Sequence, residues 1–246
     1  PRLRGDVGLL GVVMLGAGSA IGVSIFSVLA PAAQVAGSGL LVAVLVAALP
    51  MIVFALAYAW LASALPKSGA SYEWPRQFIH PLAGFLIAWL RILSNVGAMT
   101  VLTIVLVDYL NMVVTLPKKP TIALILTSVF ALNYVGVNVA ARAQTLLMLV
   151  LLGVLAVLVG TGLPMTSTAT VGPLLETGWG AVLACVALMI TLFLGIESAV
   201  EIGEEVRDPR RTVPRGIAFA ILLTAVVYVA VAFTTLGLLG PAKLAA

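Results

Sequence analysis

The sequence predicts an all-α integral membrane fold. Hydrophobic residues make up 62% of the chain and charged residues 9%, against roughly 25% charged in ordinary soluble domains. Residues 7–66 carry no charge, a length that accommodates two helical crossings at about 20 residues each. Gly22 and Gly195 interrupt two separate apolar stretches, a pattern that suits broken helices around a cavity as well as close helix packing.

Apolar length and Gly/Pro punctuation divide the chain into seven expected spans. The first covers residues 7–35 and the second 40–65, parted by Gly37-Ser38-Gly39. Span one holds Gly11, Gly16, Gly18 and Gly22 with Ser19 and Ser24 interleaved and Pro31 near its end. Each interior glycine costs a helix about 1 kcal/mol relative to Ala. The interval PKSGASYEWPRQFIHP is too polar to cross lipid and is expected at the interface, where Tyr72 and Trp74 are well placed. Spans three, four and five follow at residues 82–114, 121–134 and 141–163. Span six covers 179–205 and span seven 214–239.

Lys and Arg set the expected orientation. With a cytoplasmic N-terminus, Arg2, Arg4, Lys67, Arg76, Arg142, Arg207, Arg210, Arg211 and Arg215 fall inside, and only Lys118, Lys119 and Lys243 outside. Arg2 and Arg4 before an apolar run resemble a signal peptide, but the run is too long and leads into a second span, so a cytoplasmic tail is expected. The expected location is the cell membrane, multi-pass, in contact with lipid. The net charge of +4 is spread among loops, which argues against a nucleic-acid partner. Cys185 is the sole cysteine and reads as a small packing residue.

Residues 190–214 concentrate the polar chemistry. Glu197, Glu201 and Glu204/Glu205 would share one face of a continuous helix. Glu197 lies deepest, with only apolar residues and Thr191 before it. An acid at such depth marks a polar pathway, because lipid contact is too costly. Glu201, Glu204 and Glu205 with Arg207, Arg210 and Arg211 read as a cytoplasmic rim, the bland alternative being a solvated helix end. Two glycine-interrupted spans, each opening what could be a repeat, point to a transporter site at their breaks.

Three stretches resemble the amino acid/polyamine/organocation superfamily of transporters, which has the leucine-transporter fold. Ile21-Gly22-Val23-Ser24-Ile25-Phe26 resembles its I-G-S-G-I-F break. Tyr58, Pro66, Gly69, Tyr72, Pro81 to Phe85 and Trp89 follow its pattern around spans two and three. Phe193-Leu-Gly195-Ile-Glu197 and the run from Glu204 to Arg215 resemble F-x-G-x-E…E-E-V-x-[DN]-P-x-R-x-[IV]-P. Asn133 to Val137 resembles its N-x-x-G-[VI].

The resemblance implies spans one and six both broken. It assigns a substrate carboxylate to Gly22, Val23, Ser24 and Ile25, an amino group to Ile21, Phe193, Leu194 and Gly195, and an aromatic lid to Phe193. The alternative for Phe193 is a lipid-facing or packing residue. Glu197 is the candidate proton or substrate-cation group, and the partners implied are an amino acid or amine and a proton. Val23 and Ser24 stand where Ser and Gly are usual, Trp60 replaces an acid, and Ala70 a second Gly. The Lys that several proton-driven relatives carry in span five is absent from residues 143–163.

On span three, Asn95 reads as pocket-lining or as a helix–helix hydrogen-bonding group, and Arg91 as a snorkelling or paired side chain. His80 reads as a loop residue. No metal spacing, nucleophile elbow or phosphate loop is found, so no enzyme chemistry and no cofactor are expected. A rhodopsin-like reading would need a lysine in span seven, and residues 219–239 have none.

The chain reads as one transmembrane domain, 1–246, with a first repeat at 7–163 and the start of an inverted second at 179–239. The family's core has two five-span repeats, so a truncated carrier is expected, moving substrate as symporter or exchanger while spans one, two, six and seven rock against three and four. The alternative is a shortened relative that assembles with a second copy or another chain, or that does not transport at all.

Overall fold

The computed structural model describes residues 7–245, apart from the side chains of Val23, Ser24, Phe26, Val137, Asn138, Ala141 and Thr168. Arg2 and Arg4, placed in the expected tail, lie outside the described residues. The fold is all-α, as the composition predicts. Helices α1 (Leu9–Ala36) and α2 (Leu40–Ala64) are joined by the 3-10 turn Gly37–Gly39. The interfacial interval contains a short helix, α3 (Ala70–Phe78), followed by α4 (Pro81–Asn111), α5 (Lys118–Val135) and α6 (Val137–Gly162). After the single turn α7 (Thr168–Val171) come α8 (Gly178–Ile190), α9 (Ser198–Glu201) and the long α10 (Pro209–Leu244).

Five stretches are long and apolar enough to cross a membrane among the described residues: Ser27–Ala64, Pro81–Asn111, Arg142–Met165, Gly178–Glu201 and Pro209–Leu244. By this measure the expected count of seven is not reached. The second half of α1 counts together with α2, Leu9–Gly22 is a shorter apolar helix, and α5, which opens on Lys118 and Lys119, is not among the five.

The chain forms two compact units, one running to Ser68 and resuming at Gln144, the other Gly69–Ala143. In the first, α1, α2, α8 and α10 pack around side chains that are fully buried, among them Val12, Ile21, Val44, Met189, Leu192 and Ile217. Helices α1 and α10 approach through small residues. A Cβ on Gly16 would lie 3.2 Å from the Ala220 Cβ, the small-residue contact that lets apolar helices gain dispersion where lipid offers no hydrophobic drive. The α1–α2 turn is fastened by Ser38 Oγ, which donates to the Val171 carbonyl, and by Thr177 Oγ1, which donates to the Ala36 carbonyl at 3.0 Å.

In the second unit α3 lies against the start of α4. His80 is the N-cap of α4, its Nδ1 accepting from the Leu82 amide at 3.2 Å, with Pro81 next in the first turn. The expected loop residue is thus the start signal of a helix. Arg76 pairs with Glu73 at 3.0 Å and stacks over the Tyr72 ring at 5.7 Å. Only Gly84, Thr103 and Val107 are buried along α4, and most of its apolar side chains are exposed.

Two expectations are corrected. Helix α1 runs unbroken from Leu9 to Ala36, without the interruption expected at Gly22. A few glycines cost about 1 kcal/mol each, whereas opening the ladder in apolar surroundings leaves backbone groups unsatisfied at several kcal/mol apiece. The acids of residues 197–205 do not share one helical face either. Four-residue α9 ends at Glu201, and Gly203–Glu205 form a 3-10 turn.

Candidate functional site

Span six is broken. Helix α8 ends at Ile190 and tightens into a 3-10 turn, Thr191–Phe193, after which Leu194 is extended. Gly195 then takes φ +109, a region that a side chain disfavours. The same residue lies on the backbone of α1: a Cβ there would stand 2.8 Å from the carbonyl carbon and Cβ of Ser19 and 3.0 Å from the Ala20 nitrogen. Conformation and proximity both require glycine.

The Gly195 amide and carbonyl find partners within the break itself. The Gly195 amide donates to Glu197 Oε2 at 2.8 Å. Ser198 Oγ lies 2.5 Å from the Gly195 carbonyl oxygen and 3.2 Å from Ser19 Oγ. Glu197 is half-buried and borders a small cleft with Met51, Phe54, Ala55 and Tyr58 of α2, Ile196, and Ile217 and Ile221 of α10. Its volume of about 20 Å³ admits a single water molecule.

Phe193 is fully buried and meets Tyr228 edge-on, with ring centroids 5.9 Å apart and planes at 78°. The Tyr228 hydroxyl lies 2.8 Å from the carbonyl oxygens of Ala20 and Leu192, linking α10 to α1 and to the break. Ile21 and Ile25 are buried, Leu194 is 53% exposed, and among the described residues no atom outside the helix's own turn comes within 4 Å of a Cβ built on Gly22. The Val23 and Ser24 side chains lie outside the described residues. The structure thus brings Ser19, Ala20, Phe193, Gly195, Glu197 and Ser198 together. Asn95 is exposed on α4, in the other unit.

The rim segment is stitched by main-chain pairing. The Val7 amide donates to the Glu205 carbonyl at 3.1 Å, the Arg207 amide donates to the Val7 carbonyl at 2.9 Å, and the Glu204 amide reaches Ser68 Oγ at 3.3 Å. Glu201 and Glu205 are half-buried, whereas Glu204, Arg207, Arg210 and Arg211 are exposed. Burial raises the Glu205 carboxyl above its ordinary range.

Tyr228 and Ser198 were not singled out in the sequence, and Ser19 was noted only as a serine interleaved among the span-one glycines. Tyrosine in membrane spans is enriched at the interfaces, so a tyrosine within an apolar span was the available signal for Tyr228. Single serines in apolar helices carry none.

A protein-family model described as amino acid permease matches residues 7–246. An uncharacterized transporter of Mycobacterium tuberculosis is 34% identical over 248 residues, covering 99% of this chain and 55% of the relative. A branched-chain amino acid permease of Bacillus subtilis is 26% identical over 264 residues, covering 99% of this chain and 57% of its own length. A glutamate/serine transporter of the same organism is 23% identical over 269 residues, covering 99% and 49%. The chain spans about half the length of the curated relatives it matches.

Proposed function

This chain belongs to the amino acid permease family of the amino acid/polyamine/organocation superfamily, and on that premise we propose that the whole protein moves an amino acid or related amine across the cell membrane by alternating access. The observation that carries the reading is the break between α8 and α9, seated on α1 at Ser19 and Ala20. A helix interrupted in an apolar span is tolerated only where it faces protein or a cavity, and its free ends favour ions of opposite sign.

In this reading the carbonyls of Ile21, Phe193, Leu194 and Gly195 receive the substrate's amino group, and Phe193 covers it. The amides of Gly22 to Ile25 hold the carboxylate. Because α1 is helical there, this half of the site forms when α1 opens at Gly22. Glu197, whose carboxylate accepts from the Gly195 amide, carries the coupling proton. The rim at Glu201 to Arg211 faces the cytoplasm, as the Lys/Arg bias implies. The mutual packing of α1, α2, α8 and α10 supports their moving as one bundle.

Uptake and counterflow by the full-length protein in proteoliposomes, with a panel of amino acids and polyamines and with or without a pH gradient, tests the reading. Accumulation of at least one amino acid or amine is expected. No transport of any panel member by folded protein would overturn it.

A further inference from the structure

Tyr228 has a role in this site that the motifs do not assign. It is 1% exposed, on a helix remote in sequence from both segments it touches, and its hydroxyl oxygen lies 2.8 Å from the Ala20 and the Leu192 carbonyl oxygens. A phenol has one proton, so a single donor is shared between two main-chain acceptors on different elements. One acceptor lies in α1. The other lies in the 3-10 turn where the α-helical ladder of span six has stopped, and where a carbonyl needs a donor from elsewhere.

The two carbonyls stand in matching places. Ala20 immediately precedes Ile21, and Leu192 immediately precedes Phe193, so Tyr228 grips the residue before each of the two segments assigned to the amino group. A peptide plane that is held at one carbonyl restricts the direction of the next. We propose that Tyr228 is a positioning residue: it fixes the spacing and direction of the Ile21 and Phe193 to Gly195 carbonyls, and so sets how closely they close on a primary amino group. The assignment rests on the transport reading given above. The edge-on contact with Phe193, at 5.9 Å between centroids, fixes the ring so that the hydroxyl has one place to go.

Thr224 supplies the internal control. It lies one turn earlier on α10, is fully buried, and its hydroxyl has no hydrogen-bond partner among the described residues. Removing an unbonded hydroxyl changes little, whereas removing a bonded one forfeits the bond.

The test compares full-length wild type, Tyr228→Phe and Thr224→Val. Tyr228→Phe keeps the ring contact and loses only the oxygen. Its KM for the transported amine is expected to rise about tenfold with turnover nearly unchanged, and its preference for the primary amine over the N-methylated analogue to shrink. Amides of residues 192–197 should exchange hydrogen faster by about the same factor, while other segments keep wild-type protection. Thr224→Val should match wild type in all three. Wild-type exchange at 192–197, or unchanged amine discrimination, in Tyr228→Phe would overturn the proposal. Wild-type protein supplies a further check: if its amides at 192–197 exchange as freely as an unfolded peptide, no clamp exists. Should wild type move no amine at all, the transport reading fails, and the exchange measurements alone decide whether Tyr228 holds the break.

Discussion

Gly195 and Ser19 are in such close contact that a methyl group on Gly195 would stand 2.8 Å from the Ser19 carbonyl carbon. Gly195→Ala therefore combines a collision with main chain, which cannot swing aside, and a φ of +109 that alanine tolerates poorly. The expected loss is about 1–3 kcal/mol, read as a lowered unfolding midpoint in detergent, with substrate affinity lost as α1 and the break separate. Wild-type stability in Gly195→Ala would mean that the two segments do not pack in this way.

Gly22→Ala should act with the opposite sign on stability. Gly22 lies inside α1, and a Cβ there meets no atom of the other described residues within 4 Å, so alanine should stabilise the helix by up to about 1 kcal/mol. If α1 must open at Gly22 to receive a carboxylate, the same change makes opening harder. The expected result is a higher midpoint together with weaker substrate binding, measured by thermal shift and uptake kinetics on one preparation. Stabilisation without any change in KM would remove the opening of α1 from the mechanism.

The contrast between these glycines explains what was legible in the sequence. At Gly195 an acid follows two residues later in an otherwise apolar run, and that juxtaposition announced the break that the structure has. At Gly22 the signal was several weak helix breakers, and their summed cost is smaller than that of leaving main-chain groups unbonded in apolar surroundings. The rim acids were misplaced for a related reason. Spacing alone implied one face, but backbone pairing of Val7 with Glu205 and Arg207 draws this segment out of α-helical geometry. Tyr228 was not legible because its acceptors, Ala20 and Leu192, are fixed by packing across 208 and 36 residues.

Glu197→Gln separates coupling from folding. A carboxamide oxygen can still accept from the Gly195 amide, now bonded to the carboxylate at 2.8 Å, so the break should persist and the midpoint should move by about 1 kcal/mol or less. Glutamine has no titratable proton. The expected outcome is exchange of substrate across the membrane without stimulation by a pH gradient, checked by counterflow and gradient-driven uptake in the same vesicles. Transport that responds to the gradient as wild type does would take Glu197 out of the coupling role.

The rim gives a pH dependence of defined sign. Burial raises the proton affinity of Glu205 in the fold, so the native state holds that proton more tightly than the unfolded chain does. By linkage, its contribution to stability is fully present below the unfolded pKa, near 4.3, and is lost as pH rises through the raised native value. Glu205→Gln stays neutral throughout, so its unfolding midpoint should decline less than that of wild type as pH rises beyond the ordinary carboxylate range. Glu204, exposed beside it, provides the comparison, and Glu204→Gln should track wild type. The effect is bounded by partial solvent screening of a half-buried group, which makes the difference between the curves, rather than either curve alone, the quantity to measure. If wild type and Glu205→Gln keep a constant separation from acid to neutral pH, burial does not hold a proton at this position, and the stitch from Val7 to Arg207 is indifferent to its charge.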